Sequence, residues 1–196
     1  QGEELGLPEV EDIPSDRRQD PMWHRSGGVD PGRDGCRIPI PWAGGRPPYG
    51  FSPAGADRPW LDPPDDWAPL TIAAQSEAST SMLGLYRAGL RLRRSAPWLG
   101  DGDSNGADLR WTPAADSVLA FERGERFACL VNFGPEPVDL PAGATVLIAS
   151  SELEGGALPQ DTTVWLRRTG RDKATETSTP TAPDPERSVA HEREGR

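Results

Sequence analysis

Turn-forming dipeptides interrupt residues 1–78 so often that no helix or strand of ordinary length fits between them. Asp20-Pro21, Asp30-Pro31, Pro47-Pro48, Pro59-Trp60 and Asp62-Pro63-Pro64 punctuate this part of the chain. Proline fixes its own φ and biases the preceding residue away from the helical region. An irregular stretch this long inside a compact fold is normally functional. Short helical turns are predicted only near residues 9–12 and 65–67. The segment richest in chemistry is Gly32-Arg33-Asp34-Gly35-Cys36-Arg37-Ile38-Pro39-Ile40-Pro41-Trp42. Gly35 permits a positive φ, and Pro39 and Pro41 stiffen the run into Trp42. The segment reads as a rigid, non-helical loop aiming Arg37 and Trp42 at fixed points. A guanidinium fork and an indole together suit a polyhydroxylated ligand. The alternative is a solvated surface loop with Trp42 plugging a core.

The pattern changes at residue 79. Met82, Leu85, Tyr86, Gly89 and Leu92 recur at helical spacing over residues 79–95, with Ser79 or Ser81 as the cap. Arg87, Arg91, Arg93 and Arg94 load the C-terminal half, where the helix dipole favours cations. Pro97 is the expected stop. Gly84 and Gly89 weaken helix propensity, which predicts close packing on their side. Beyond Trp98, period-two segments at 109–112, 118–122, 127–133, 138–140, 145–149 and 163–166 read as short strands, with Arg123-Gly124-Glu125-Arg126 as a hairpin turn. Six short strands in about 60 residues point to a small antiparallel sandwich. After residue 169 only Val189 is a large aliphatic residue, and this tail is expected to be disordered.

Only 35% of the 196 residues are hydrophobic, against 22 Gly and 22 Pro, so one continuous core is not expected. The net charge of −10, without a basic stripe, disfavours nucleic acid and anionic membranes as partners. No apolar run approaches the roughly 18 residues that span a bilayer. No charged-then-apolar leader is visible, and Cys36 and Cys129 read as reduced thiols, so a cytoplasmic location is expected. The opening at Gln1, without a lead-in, reads as a chain that begins within a longer one.

Glu3, Glu4, Glu9, Glu11 and Asp12 invite comparison with the paired carboxylates of a glycosidase, but a solvated acidic run is the simpler reading. His24 and His191, with Cys36 and Cys129, lack metal-ligand spacing. No phosphate loop or dinucleotide fingerprint is present, so neither a metal nor a cofactor is assigned.

Gln1-Gly2-Glu3-Glu4-Leu5-Gly6-Leu7-Pro8, Gln19-Asp20-Pro21, the arginine loop of residues 32–42, Gly50-Phe51-Ser52 and Pro59-Trp60-Leu61 succeed one another in a telling order. Ser81-Met82-Leu83-Gly84-Leu85-Tyr86-Arg87, Leu90-Arg91-Leu92-Arg93, Val118-Leu119-Ala120-Phe121-Glu122-Arg123 and Val131-Asn132-Phe133 continue it. Together they resemble the end of a bacterial α-glucosidase of glycoside hydrolase family 13, in the α-amylase superfamily, over about residues 1–167. The Gly-Cys form of the arginine loop is that of actinobacterial members.

The resemblance implies an α+β fragment. Residues 1–97 would be the eighth βα loop and last helix of a (β/α)8 barrel, residues 98–168 a small antiparallel β-sandwich C-terminal domain, and residues 169–196 a tail. It also implies that the nucleophile, the acid/base and the stabilising carboxylate lie upstream of Gln1, so no residue here is assigned a catalytic role. Glu3 and Glu4 do not replace them. Arg37 matches the second arginine of the family loop, which binds the terminal glucose together with an aspartate early in the barrel. Ile38 stands where threonine is commoner. The implied partners are an α-glucoside, in the intact parent enzyme, and the missing N-terminal barrel segment. Two other readings stay open: a non-catalytic carbohydrate-binding or interaction module, and a fragment of a glucosyl transferase or isomerising enzyme.

Overall fold

The computed structural model describes residues 1–53, 55–56, 58–96, 99 and 109–168. The expected stop at Pro97, the environments of Trp98 and His191, and the tail beyond residue 168 lie outside them.

Residues 1–71 form a chain of turns closed around a core of its own. Tyr49, Trp67, Leu61, Ile38 and Ile13 are buried together, with Leu7, Val10, Ala68 and Leu70 packed against them. The backbone is tied across long sequence distances. Val10 N–H donates to the Gly35 carbonyl, Trp42 N–H to Tyr49 and Ile72 N–H to Pro41. Arg18 acts as a staple, donating to the carbonyls of Glu11, Ile13 and Pro31. Loop carbonyls outside helices and sheets need a donor or water, and one guanidinium supplies several donors. The predicted turn at residues 9–12 is not helical. The one at 65–67 falls slightly later, as a 3-10 turn over Ala68–Leu70.

Two short helices escape the hydrophobic pattern. Helix α1 (Pro21–Arg25) begins with proline behind the N-cap Asp20, and α2 (Ile72–Glu77) is capped by the Thr71 hydroxyl. In both, polar capping rather than periodicity sets the start. Helix α3 (Met82–Ser95) is the predicted long helix, and Ser81 is its cap, accepting from Gly84 N–H. A Cβ on Gly84 would lie 2.5 Å from the Ser79 carbonyl oxygen, so glycine is required there. On Gly89 a Cβ would make only ordinary contact with Trp165.

The strands are β1 (Leu109–Trp111), β2 (Val118–Arg123), β3 (Phe127–Asn132), β4 (Val138–Asp139), β5 (Thr145–Ala149), β6 (Ala157–Leu158) and β7 (Thr162–Arg167). Five form one antiparallel sheet in the order β1-β2-β3-β7-β5, and β4 pairs with β6. Strand β6, two residues long, was too short to announce itself by alternation. The alternation elsewhere sorts the sheet faces. Ala120, Ala128, Leu130, Val164 and Leu166 face a core completed by Leu158 and Val138 of the β4–β6 ribbon. Phe127, Cys129, Phe121 and Trp165 face the other way and meet Leu92 and Ala96 at the end of α3. The expected sandwich is therefore unequal. One layer is a full sheet, the second is a two-stranded ribbon, and α3 covers the sheet's opposite face.

Candidate functional site

The arginine loop and Asp20 meet at the start of α1. Asp20 is an extended residue before Pro21, which has no N–H to satisfy. Its Oδ1 accepts from Met22 N–H at 2.9 Å. Its Oδ2 accepts from Arg33 N–H at 3.2 Å, Arg33 Nε at 3.3 Å and Arg37 Nη1 at 3.1 Å. The Asp20 side chain is wholly buried. Its pKa lies below the ordinary value: the Met22 N–H lowers it most, burial opposes, and the Arg33 contacts lower it further.

Asp34, also fully buried, closes the other side. Its Oδ2 accepts from the backbone N–H groups of Gln19 at 2.7 Å and Asp20 at 2.9 Å. Its Oδ1 has no hydrogen-bond partner among the described residues and lies 4.0 Å from Arg37 Nη1. Arg37 keeps a side-chain exposure of 38%, whereas Arg33 is 67% exposed. The Arg37 fork is thus fixed at Nη1 while part of the side chain stays open to solvent.

Glycine enters this geometry differently from the sequence expectation. Gly35 does not take a positive φ. It sits in a 3-10 turn (Asp34–Cys36), where a Cβ would lie 2.5 Å from the Val10 carbonyl oxygen. Gly32 has the positive φ, 66°, and a Cβ there would lie 2.6 Å from Asp20 Cβ. Both positions therefore favour glycine, one for close approach and one for conformation as well.

Trp42 is 52% exposed, so it is not a core plug. Its backbone is nonetheless pinned, with N–H on the Tyr49 carbonyl and its own carbonyl on Ala73 N–H. Tyr49 and Trp67 fill the core instead. Glu3, Glu9, Glu11 and Asp12 are exposed. Glu3 Oε1 accepts from the Tyr86 hydroxyl at 2.9 Å. His24 lies exposed on α1, and no cluster of three metal-ligating side chains occurs among the described residues. Cys36 and Cys129 are both free. Burial pushes the Cys129 thiol up to about 11. Asp20 and Asp34 are the residues that sequence reading left without a role. The signal for Asp20 was the Asp-Pro step, an N-cap followed by proline at the first helical position.

Residues 97–165 match a family described as a domain of unknown function, DUF3459. A probable alpha-glucosidase of Rhizobium meliloti (strain 1021) is 35% identical over 139 residues, covering 69% of this chain and 23% of the relative. The chain is related to the C-terminal region of family 13 glycoside hydrolases. A trehalose synthase/amylase, TreS, of Mycobacterium tuberculosis (strain CDC 1551 / Oshkosh) is 33% identical over 120 residues, 55% of this chain and 19% of that protein. The crystal structure of the alpha-glucosyl transfer enzyme XgtA superimposes with a TM-score of 0.66 at 30% identity, over 86% of this chain and 32% of that one. The chain therefore spans between about a fifth and a third of these family 13 relatives. No helix among the described residues is long and apolar enough to cross a membrane.

Proposed function

We propose that this chain is the C-terminal part of a retaining α-glucosidase acting on maltose and short α-gluco-oligosaccharides, with Arg37 contacting the terminal glucose. Residues 1–97 would complete the eighth loop and last helix of the barrel, and residues 98–168 would form its C-terminal domain. The observation that carries this reading is the 139-residue similarity to the probable alpha-glucosidase. The arginine loop supports it physically. Buried carboxylates hold a partly exposed guanidinium, and a planar fork donates well to paired sugar hydroxyls. Retaining chemistry needs two carboxyl groups about 5 Å apart. The acidic side chains of residues 3–12 lie mostly in solvent, as a solvated acidic run does.

Similarity to an alpha-glucosyl transfer enzyme and to a trehalose synthase/amylase favours a second reading, in which the glucosyl group passes to another sugar instead of water. Both readings assign the covalent step to carboxylates outside this chain. The chain alone should release no aryl group from an aryl α-glucoside above a protein-free blank. A longer protein containing it and a barrel should do so. Product analysis with maltose then separates hydrolysis, which yields glucose only, from transfer, which yields new oligosaccharides. Aryl release by the repurified 196-residue chain would overturn the proposal.

A further inference from the structure

We infer that the groove between α3 and strands β5 and β7, opened by Gly89, is the docking site for one amphipathic helix of the barrel segment that precedes Gln1 in the longer protein. The inference rests on the reading of this chain as the C-terminal part of such a protein. It goes beyond that reading by naming the face that is covered and the character of the helix that covers it.

Gly89 lies in the interior of α3, where glycine is unfavourable against alanine. Gly84, on the same helix, lacks a side chain for a reason inside this chain, the Ser79 carbonyl oxygen 2.5 Å from where its Cβ would stand. Gly89 has no such reason. Its φ is not positive, and a Cβ would meet only ring carbons of Trp165, at 3.8 and 3.9 Å, which is ordinary contact. In place of a side chain, Gly89 borders a cavity of about 340 Å³. Leu85, Gly89, Leu90 and Arg93 line it from α3, and Ile148 and Trp165 line it from the sheet. Leu85, Gly89 and Arg93 form one i, i+4, i+8 row, so the glycine is a notch in a ridge. Ridges of a crossing helix pack into gaps of this kind. A dry apolar cavity of about 150 Å³ already takes a benzene-sized group, so this one has room for more than one large side chain. Leu90 is 53% exposed, which leaves the groove open to an incoming element.

A mostly apolar lining calls for an apolar occupant. The rest of this chain does not supply one. Outside the described residues its only large apolar residues are Trp98 and Val189, so neither stretch carries an apolar stripe. The first residues of the chain, by contrast, stand beside the groove. Tyr86, which also lines it, donates its hydroxyl to Glu3 Oε1 at 2.9 Å. A segment joined to Gln1 therefore starts next to the opening. The matched region is 23% of the probable alpha-glucosidase, so most of that relative's length lies outside it. Arg93 adds the charge. It is exposed, and it pairs with no carboxylate among the described residues. A helix laid over the groove would take that guanidinium out of water, and a buried charge needs a partner. The occupant is thus a helix with bulky apolar residues along one stripe and an acidic residue at the stripe's edge.

The test compares the 196-residue chain with the longer protein that carries it and cleaves an aryl α-glucoside. Hydroxyl-radical labelling of Leu90 should fall roughly fivefold or more in the longer protein, because a packed interface excludes solvent. In the chain alone, Gly89→Ala should raise the folding equilibrium constant roughly fourfold in urea titrations, since helix propensity improves and the Cβ finds space. A gain below about twofold, or a loss, would mean that the chain's own packing accounts for the glycine, and the inference fails. Gly89→Phe fills the cavity. In the longer protein it should restore Leu90 labelling toward the level of the chain alone. Arg93→Glu should do the same in part, and added salt should reduce its effect. If Gly89→Phe does not fold in either protein, the wild-type labelling decides. An active longer protein whose Leu90 labels as fast as in the chain alone overturns the inference and leaves the proposed function standing. By ultracentrifugation the chain alone should be a monomer. A dimer that Gly89→Phe abolishes would make a second copy the occupant and overturn the inference equally. If no barrel segment precedes Gln1 in the gene product, the proposed function has failed and takes the inference with it, a distinct outcome.

Discussion

At the scale of single residues, the buried carboxylates around Arg37 set the expectations. Arg37→Ala in the active longer protein should lower kcat/KM by orders of magnitude for maltose and aryl α-glucoside alike, because the terminal glucose would lose its anchor. Arg37→Lys keeps the charge without the planar fork and should rescue only part of the loss. If Arg37→Ala folds and kcat/KM stays within about threefold of wild type, a change under ~1 kcal/mol, the assignment of Arg37 to substrate is wrong. Asp20 carries a second expectation, read from pH. Its folded pKa is depressed below the ordinary 3.8, so the unfolded chain binds that proton more tightly. Its contribution to stability is present above pH 3.8 and disappears as pH falls through the folded value. Denaturant titrations of wild type and Asp20→Asn across pH 2–5 should show a shallower acid dependence in the variant; equal slopes would count against this role. The thiols give a third. Cys36 is exposed, whereas burial holds the Cys129 thiol protonated up to about pH 11. Near pH 8 a disulfide reagent should modify one thiol quickly and the second only on unfolding, with peptide mapping placing the fast one at Cys36.

At the scale of elements, polar side chains join what the hydrophobic pattern leaves separate. Gln75, buried on α2, donates to the Leu5 carbonyl at 2.8 Å and accepts from Leu83 N–H at 3.0 Å. It thereby couples the Glu3–Leu5 turn to the first turn of α3. Gln75→Ala would strand a buried carbonyl and a buried N–H, at a cost of about 1–3 kcal/mol for each group left unpaired. Urea unfolding measures this directly, and a loss below ~0.5 kcal/mol would show that water replaces the amide at no cost. This coupling also marks the limit of what the sequence could tell. Strands β1–β3, β5 and β7 and helix α3 were legible because alternation and the 3.6-residue period are repeated over several residues; β4, two residues long, was legible only as the Val138-Asp139-Leu140 run between Pro137 and Pro141. Helix α1 was not, because its start depends on one aspartate and one proline, and β6 was not, because two residues carry no period. The site was half legible. Arg37 stood out by its loop, but its carboxylate partner Asp20 lies 17 residues away, across a turn that spacing alone could not close.

At the scale of the whole molecule, two cores share one bridge. The turn-rich segment buries Ile13, Ile38, Tyr49, Leu61 and Trp67, so it does not depend on a barrel surface for all of its packing. The sheet buries Leu130, Leu158, Val164 and Leu166 on one face and Phe127 and Cys129 on the other. Helix α3 reaches the turn-rich segment at one end and the sheet at the other. Its start is held by Gln75 and packs on the Glu3–Leu5 turn, and Leu92 and Ala96 near its end pack on the sheet. Strand β3 is paired along its full length to β2 and β7, so its amides should exchange slowest. In the segment before α2, fewer amides are held by backbone partners, such as those of Val10, Trp42 and Tyr49. They should exchange faster, through local opening. Leu166→Ala tests whether α3 transmits stability between the cores. Leu166 is fully buried, and truncating it should cost the sheet about 2–5 kcal/mol. If α3 joins the cores into one cooperative unit, exchange should accelerate in β3 and α3 together and also at the Trp42 and Tyr49 amides. Acceleration confined to β3, β7 and the end of α3 would mean that the arginine loop is held by its own core, and that Asp20 and Arg37 keep their geometry when the sheet opens.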